Sequence, residues 1–189
     1  MNINILSQDE LLHLINSKLE EQNVFSMALI DLDKWNDKSF NLEELILDFR
    51  RVLESSNFKE FHYIGRDEFI LFVDESIEKT FQQLFEFKLY WERDRKFEVT
   101  YSAGLVSVPS HGNTPEEVLR RAEEGLYKAK QQGRNMICQP DNGSLVLKSN
   151  YYYKYQLERL KTIAKKQKKK ESEILRLALD EYFRRHDDI

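Results

Sequence analysis

Residues 63–72 read YIGRDEFILF, and this stretch decides the fold. FHYI (61–64) before the turn and EFILFV (68–73) after it are short runs rich in aromatic and β-branched residues, the composition that suits a pleated, half-buried surface. Gly65–Asp67 supplies the turn, so the segment predicts a β-hairpin. Two carboxylates, Asp67 and Glu68, open its second strand, and Arg66 stands where a tight turn most easily takes glycine.

Outward from the hairpin the periodicity is regular. FSMALIDLD (25–33) is a nearly continuous apolar run ending in acids, as expected of a central strand covered on both faces. SQDELLHLINSKLEEQ (7–22) opens with the capping-box pair Ser7 and Glu10 and sets Leu11, Leu12, Leu14, Ile15 and Leu19 at helical spacing. NLEELILDFRRVLESS (41–56) and ESIEKTFQQLFEFKLYWERD (75–94) also read as helices, and KFEVTYSAGLVSVP (96–109) alternates as a strand. Thr114 followed by Pro115 marks a helix start, and Gly133 its C-terminal cap. NMICQ (135–139) closes as a strand. After a leading helix the order is β-α-β-β-α-β-α-β, an α+β chain with a ferredoxin-like sheet covered by helices. The breaker cluster QPDNGS (139–144) predicts a boundary, giving domains over 1–140 and 141–189. Beyond it come a short strand and two helices, at about 154–167 and 171–186.

The chain has 189 residues, 41% of them hydrophobic, enough for one domain or one with a small appendage. Charge is uneven. Residues 143–189 hold 12 Lys/Arg against 7 Asp/Glu, whereas the preceding 142 hold 17 against 26. An acidic body with a basic tail suggests that the tail meets something anionic. The single cysteine, Cys138, excludes an internal disulfide and a cysteine zinc cluster. No apolar run reaches membrane-spanning length and no signal-peptide pattern opens the chain, so a cytoplasmic protein is expected.

Asp31 and Asp33 end the first long strand. If the hairpin neighbours that strand, Asp31 and Glu68 face one cleft. Mg²⁺ binds through one or two protein carboxylates and completes its shell with water and phosphate oxygens, so the pair suits it. FSMALIDLDKWND (25–37), YIGRDEF (63–69), VTYSAGLVSVPSHG (99–112) and AEEGLYKAKQQGRNMIC (122–138), in this order, resemble the GGDEF family of diguanylate cyclases over roughly residues 5–140. The resemblance implies dimeric enzymes that condense two GTP molecules into cyclic di-GMP with Mg²⁺, for which Mn²⁺ can substitute. It assigns Asp31 and Glu68 as metal ligands, Asp67 as the acid near the attacking 3′-hydroxyl, and Lys130 and Arg134 as phosphate contacts. Gly65 and Arg66 would line the nucleotide.

Several positions depart from the family pattern. Its second glycine is Arg66, and its arginine before the glycines is Tyr63. The loop DKWNDKSFNLEE (33–44) is several residues shorter than the family's guanine-reading loop, leaving Asn36 and Asp37 as its remnant. SNFK (56–59) lacks the family's inhibitory RxxD site. The metal and triphosphate end is kept, whereas the guanine-reading end is lost or rebuilt. Losing buried base-specific hydrogen bonds removes much discrimination. A degenerate domain that binds a nucleotide or cyclic dinucleotide is therefore expected ahead of ordinary cyclase chemistry.

In the tail, Leu157, Leu160 and Ala164 form one stripe, and Ile174, Leu175, Ala178, Leu179, Tyr182 and Phe183 another. Two helices of about 14 residues cannot bury these stripes alone and need the first domain or a second copy. YQLERLKTIAKKQKKKESEILRLALDEYF (155–183) resembles the ribbon-helix-helix family of DNA-binding regulators over about 145–186. The resemblance implies a homodimer whose paired strands enter the major groove. The strand lies at Lys148–Tyr152, with Ser149 and Tyr151 facing the groove, or at Leu145–Ser149, with Val146 and Lys148 facing it. Ser172 would cap the second helix on a phosphate, and Lys168, Lys169 and Lys170, with Lys165 and Lys166, would add phosphate attraction. The combined expectation is a bacterial transcriptional regulator whose first domain senses a nucleotide. The alternative is an active or altered-specificity dinucleotide cyclase dimerised by its tail.

Overall fold

The structure is a computed structural model that describes residues 5–21, 24–34, 41–141 and 146–186. The chain divides into two compact units, Met1–Asn142 and Gly143–Ile189, at a point inside the 139–144 breaker cluster.

The first unit runs α1 (Gln8–Glu21), β1 (Phe25–Leu32), α2 (Leu42–Glu54), β2 (Glu60–Gly65), β3 (Glu68–Val73), α3 (Ile77–Asp94), β4 (Tyr101–Val108), α4 (Pro115–Gln131) and β5 (Ile137–Cys138). It is an α+β fold around one mixed five-stranded sheet of order β2-β3-β1-β4-β5. The pairs are antiparallel except β4 with β5. Every residue of β1 is buried, as its unbroken apolar run requires.

Alternate side chains of β1 go to opposite faces. Ala28, Ile30 and Leu32 join Leu45, Phe49 and Val52 of α2 and Leu84, Phe87 and Trp91 of α3. Phe25, Met27 and Leu29 join Leu11 and Ile15 of α1 and Val118, Ala122 and Leu126 of α4. The first core is tied by aromatic edges: the Phe49 ring stands 4.9 Å from Trp91 and 5.6 Å from Phe87, both edge-on. Helix starts follow their caps. Glu10 accepts from the Ser7 N–H and hydroxyl at 2.7 Å, Asn41 Oδ1 accepts from the Glu43 N–H at 2.9 Å, and Thr114 Oγ1 accepts from the Glu117 N–H at 3.3 Å.

α4 lies unusually close to the sheet. A Cβ on Gly104 of β4 would fall 1.9 Å from the Ala122 carbonyl oxygen, and one on Gly125 would fall 2.7 Å from that of Cys138. The two glycines face each other across this seam, Gly125 being 3.1 Å from the Gly104 Cα by the same measure.

The strand expected over 96–109 is shorter, because β4 begins only at Tyr101. The carbonyl of Val99 is taken by the Trp91 indole N–H at 2.7 Å and by Arg95 at 2.6 Å, so it is withdrawn from the ladder.

In the second unit, α5 (Lys154–Gln167) and α6 (Glu171–His186) lie against each other, and Leu160 and Ala164 of α5 are buried. Lys168 ends α5 in the left-handed region, at φ 54°. Residues 146–153 carry no strand, in contrast to the expected ribbon. A ribbon strand satisfies its backbone only by pairing with a second strand, which a single chain does not supply. The cap expected at Ser172 is also corrected. The Glu173 and Ile174 N–H groups bond the Lys170 carbonyl at 3.0 and 3.1 Å, so Lys170 stands at the cap, α6 begins at Glu171 and Ser172 sits inside its first turn.

Gly104→Ala should destabilise the first unit by about 2–3 kcal/mol, because backbone atoms rather than a flexible side chain would have to give way. Urea unfolding measures it. Gly133→Ala meets nothing within 4 Å and should cost only its positive-φ strain, about 1 kcal/mol.

Candidate functional site

The site forms where β1 ends beside the β2–β3 turn. In the antiparallel ladder Asp31 stands directly opposite Glu68. The Leu32 N–H donates to the Asp67 carbonyl at 3.1 Å, which ties the turn to the end of β1. By strand alternation Asp31 and Glu68 share the α4 face of the sheet. Lys130, in the last turn of α4, donates from Nζ to Asp31 Oδ2 at 2.7 Å. Both partners are nearly buried, with 14% and 9% of their side chains exposed.

Asp31, Glu68 and Asp67 thus crowd one corner, where Lys130 bonds Asp31 and the charges of Lys130 and Arg66 act on Glu68. Burial first, then the charge of Asp67, pushes the Asp31 carboxyl up to about 7, against the pull of Lys130. Burial likewise pushes Glu68 up to about 7, with Asp67 adding to it and Lys130 opposing. Such a site is short of positive charge. Among the described residues no group of three or more His, Cys, Asp or Glu side chains is gathered to cage an ion. Two adjacent carboxylates are nonetheless what Mg²⁺ or Mn²⁺ takes from a protein when phosphate oxygens and water supply the rest. The residues fit a hard divalent cation, and Asp31 and Glu68 would hold it. Lys130, expected on a phosphate, instead has its ammonium on Asp31 here.

The turn itself is a two-residue connection, Arg66 and Asp67, between the paired residues Gly65 and Glu68. Gly65 (φ 109°) and Arg66 (φ 52°) are both left-handed, a region glycine enters freely and arginine at a cost of about 1 kcal/mol. Tyr63, in place of the expected arginine, donates its hydroxyl to the Arg66 carbonyl at 2.6 Å and braces the turn. Burial, with Asp67 and Glu68, pushes that phenol up to about 12.

Asp33 has a role that spacing concealed. Its carboxylate accepts from Thr100 Oγ1 at 2.8 Å, Ser102 Oγ at 2.7 Å and the Asn135 N–H at 3.0 Å. It fastens β1 to the start of β4 and to the turn after α4. That turn carries Arg134, half-buried and left-handed at φ 65°. Asn36 and Asp37, the expected base-reading remnant, lie outside the described residues.

In the second unit Lys148, Ser149 and Tyr151 are exposed, Tyr151 fully. Lys168, Lys170 and Ser172 are also exposed, whereas Lys169 is half-buried and pairs with Glu173 at 3.6 Å. Glu171 and Glu173 flank Ser172 in the first turn of α6 and oppose an anion there. Leu157, Leu175, Leu179, Tyr182 and Phe183 remain exposed. Among the described residues no helix is long and apolar enough to cross a membrane.

The raised carboxyls make stability depend on pH. A carboxyl raised in the fold contributes stability that is complete below its unfolded value, near 4, and lost as pH rises through the folded value near 7. In EDTA the melting temperature of the first unit should therefore fall between pH 5 and pH 8. Glu68→Gln should flatten this dependence, and added Mg²⁺ or Mn²⁺ should restore stability at pH 8. A thermal-unfolding series over pH checks all three.

Residues 61–136 match the family model described as "Diguanylate cyclase, GGDEF domain". A 39-residue stretch, 21% of the chain, is 49% identical to the response regulator PleD of Caulobacter vibrioides and covers 9% of that protein. Among solved structures, the GGDEF domain of DgcB from Caulobacter crescentus, in complex with c-di-GMP, superposes with a TM-score of 0.57 at 20% identity, covering 69% of this chain and 85% of that one. The active GGEEF domain of a diguanylate cyclase from Vibrio cholerae gives 0.58 at 19% identity, covering 71% and 97%. At these identities the superpositions establish the fold, and the family match lies on the hairpin, β4 and α4 that build the site. The first unit has the fold of GGDEF domains, and its residues 61–136 carry the match to that family.

Proposed function

We propose that the first unit binds a nucleotide through a divalent cation held by Asp31 and Glu68, and that the second unit pairs with a second copy to bind DNA. The chain is then a nucleotide-responsive, DNA-binding regulator. The observation that carries the nucleotide half is the buried register pair Asp31–Glu68, crowded by Asp67 and held above the usual carboxylate range by burial despite Lys130 and Arg66. Desolvated carboxylates of raised pKa cost stability and belong where charge is to be bound. A bound divalent ion would supply positive charge to the ligand's phosphates. Lys130 and Arg134 would contact those phosphates, and Gly65 and Arg66 would lie beside them.

The DNA half rests on the tail. Its two short helices leave Leu157, Leu175, Leu179, Tyr182 and Phe183 exposed, which supports burial against a second copy. Its excess of lysine and arginine supports phosphate attraction. Lys148, Ser149 and Tyr151 are exposed and open to strand pairing, with Lys168, Lys169, Lys170 and Ser172 near the start of α6. A nucleotide changes DNA affinity only by binding two arrangements of the dimer differently.

A second reading has a specific observation behind it. The match to the cyclase family and the intact Asp31, Asp67 and Glu68 set support cyclic dinucleotide synthesis, with the tail bringing two half-sites together. Asp67 would then lie near the attacking hydroxyl. Arg66, where the family has glycine, favours a binding role or another base over standard turnover.

Purified protein is mixed with GTP, ATP or cyclic di-GMP, with and without Mg²⁺, and its thermal shift and product formation are followed. A ligand at 100 times its Kd should stabilise by about 2.7 kcal/mol. A metal-dependent shift without product, abolished by Asp31→Ala with Glu68→Ala and accompanied by changed affinity for genomic DNA fragments, supports the regulator. Product formation supports the cyclase. A shift with unchanged DNA affinity rules the regulator out.

Lys130 and a divalent ion compete for the same Asp31 oxygen. Lys130→Met should therefore bind Mn²⁺ more tightly than the wild type in the absence of nucleotide, and bind a triphosphate less tightly in its presence. Titration calorimetry measures both.

A further inference from the structure

The turn after α4 holds three successive left-handed residues: Gly133 (φ 119°), Arg134 (φ 65°) and Asn135 (φ 53°). Glycine takes this region freely and asparagine more readily than most residues, but arginine does not. Packing does not hold the first of them, because a Cβ on Gly133 would meet nothing within 4 Å. Hydrogen bonds hold the rest. The Arg134 N–H donates to the Ala129 carbonyl at 3.0 Å. The Asn135 N–H donates to Asp33 Oδ2 at 3.0 Å, and the Asn135 carbonyl accepts from Lys88 Nζ at 2.6 Å. Its side-chain amide reaches Glu92 at 3.4 Å.

Asn135 is thus gripped at its N–H by an anion from the end of β1 and at its carbonyl by a cation from α3. Both bonds are charge-assisted, the stronger class. Lys88 belongs to none of the motifs that mark the site, and its partner is a backbone carbonyl 47 residues away in sequence. Its ammonium is spent on fixing a peptide whose preceding residue is Arg134.

We infer that Lys88, acting with Asp33, is a positioning residue that fixes the Arg134 backbone so that its guanidinium meets the phosphates of a bound nucleotide. This rests on the nucleotide-binding reading above. Lys88 touches no ligand; it acts by keeping Arg134 and Asn135 left-handed. Without it the Asn135 carbonyl turns to water and the turn relaxes toward ordinary φ values. Arg134 then has to be reordered by each ligand that binds, and that entropy is subtracted from affinity.

The test compares wild type, Lys88→Met, Lys88→Arg, Arg134→Ala and the Lys88→Met/Arg134→Ala double variant. Binding of non-hydrolysable GTP and ATP analogues with Mg²⁺ is measured by calorimetry, and amide exchange over 133–136 is measured without nucleotide. Lys88→Met should weaken binding about tenfold, much as Arg134→Ala does, and the double variant should be no weaker than Arg134→Ala alone. Lys88→Arg, which keeps a donor, should retain most of the affinity. The Asn135 amide should exchange faster in Lys88→Met while the β1 and β4 amides stay protected, which separates loosening of the turn from loss of the fold. Unchanged exchange at Asn135, or additive losses in the double variant, would overturn the inference while leaving nucleotide binding intact. Absence of binding by the wild type, or an Arg134→Ala variant that binds as well as wild type, would instead remove the reading on which it rests.

Discussion

The site depends on the direct opposition of Asp31 and Glu68 across the β1–β3 ladder. Like charges facing each other on a sheet repel, and here burial removes the water that would screen them. The fold tolerates the pair because α4 brings Lys130 to within 2.7 Å of Asp31. Register, helix placement and electrostatics therefore lean on one another. A one-residue slip of β3 would send Glu68 to the opposite face, among the aromatic side chains packed on α2 and α3. The core residues Ile70 and Phe72, which alternate with it, would move too.

Around this pair the protein fixes backbone more than side chains. The Tyr63 hydroxyl holds one turn, and Asp33 with Lys88 holds the other. Each turn contains an arginine in a left-handed conformation, Arg66 in the first and Arg134 in the second. The cost of those conformations is met by neighbours from other elements, a pattern of strain kept near a binding site and compensated outside it.

Much of this was legible in the sequence, and the remainder had physical reasons to be hidden. Period-two and helical spacing located the hairpin, β1 and the six helices of the described residues, and the acids at the ends of β1 and β3 marked the candidate site. The late start of β4 was not legible, because the competition for the Val99 carbonyl comes from Trp91 and Arg95, whose reach is a tertiary matter. Asp33 read only as an acid ending β1, because its spacing from Asp31 carries no sign of Thr100, Ser102 and Asn135 converging on it. Lys88 gave no signal at all, since a lysine among polar residues of an amphipathic helix reads as solvated. The tail helices were found at their bounds, but the cap of α6 was placed at Ser172 rather than Lys170, as a lysine run offers no strong capping side chain. The strand expected from the apolar alternation in the tail is absent over 146–153.

The glycine seam between β4 and α4 has a consequence for how such a domain can diversify. With Gly104 and Gly125 in near backbone contact, the helix has almost no freedom to slide or roll on the sheet. The span from β1 to the last turn of α4 behaves as a fixed caliper, set by main chain rather than by the sizes of side chains. Substitutions on the outer face of α4 leave its opening unchanged, and substitutions at the seam break it. A change in which ligand such a domain would accept is therefore expected from the 66–67 turn rather than from the seam. That turn is where Arg66 stands in place of a glycine.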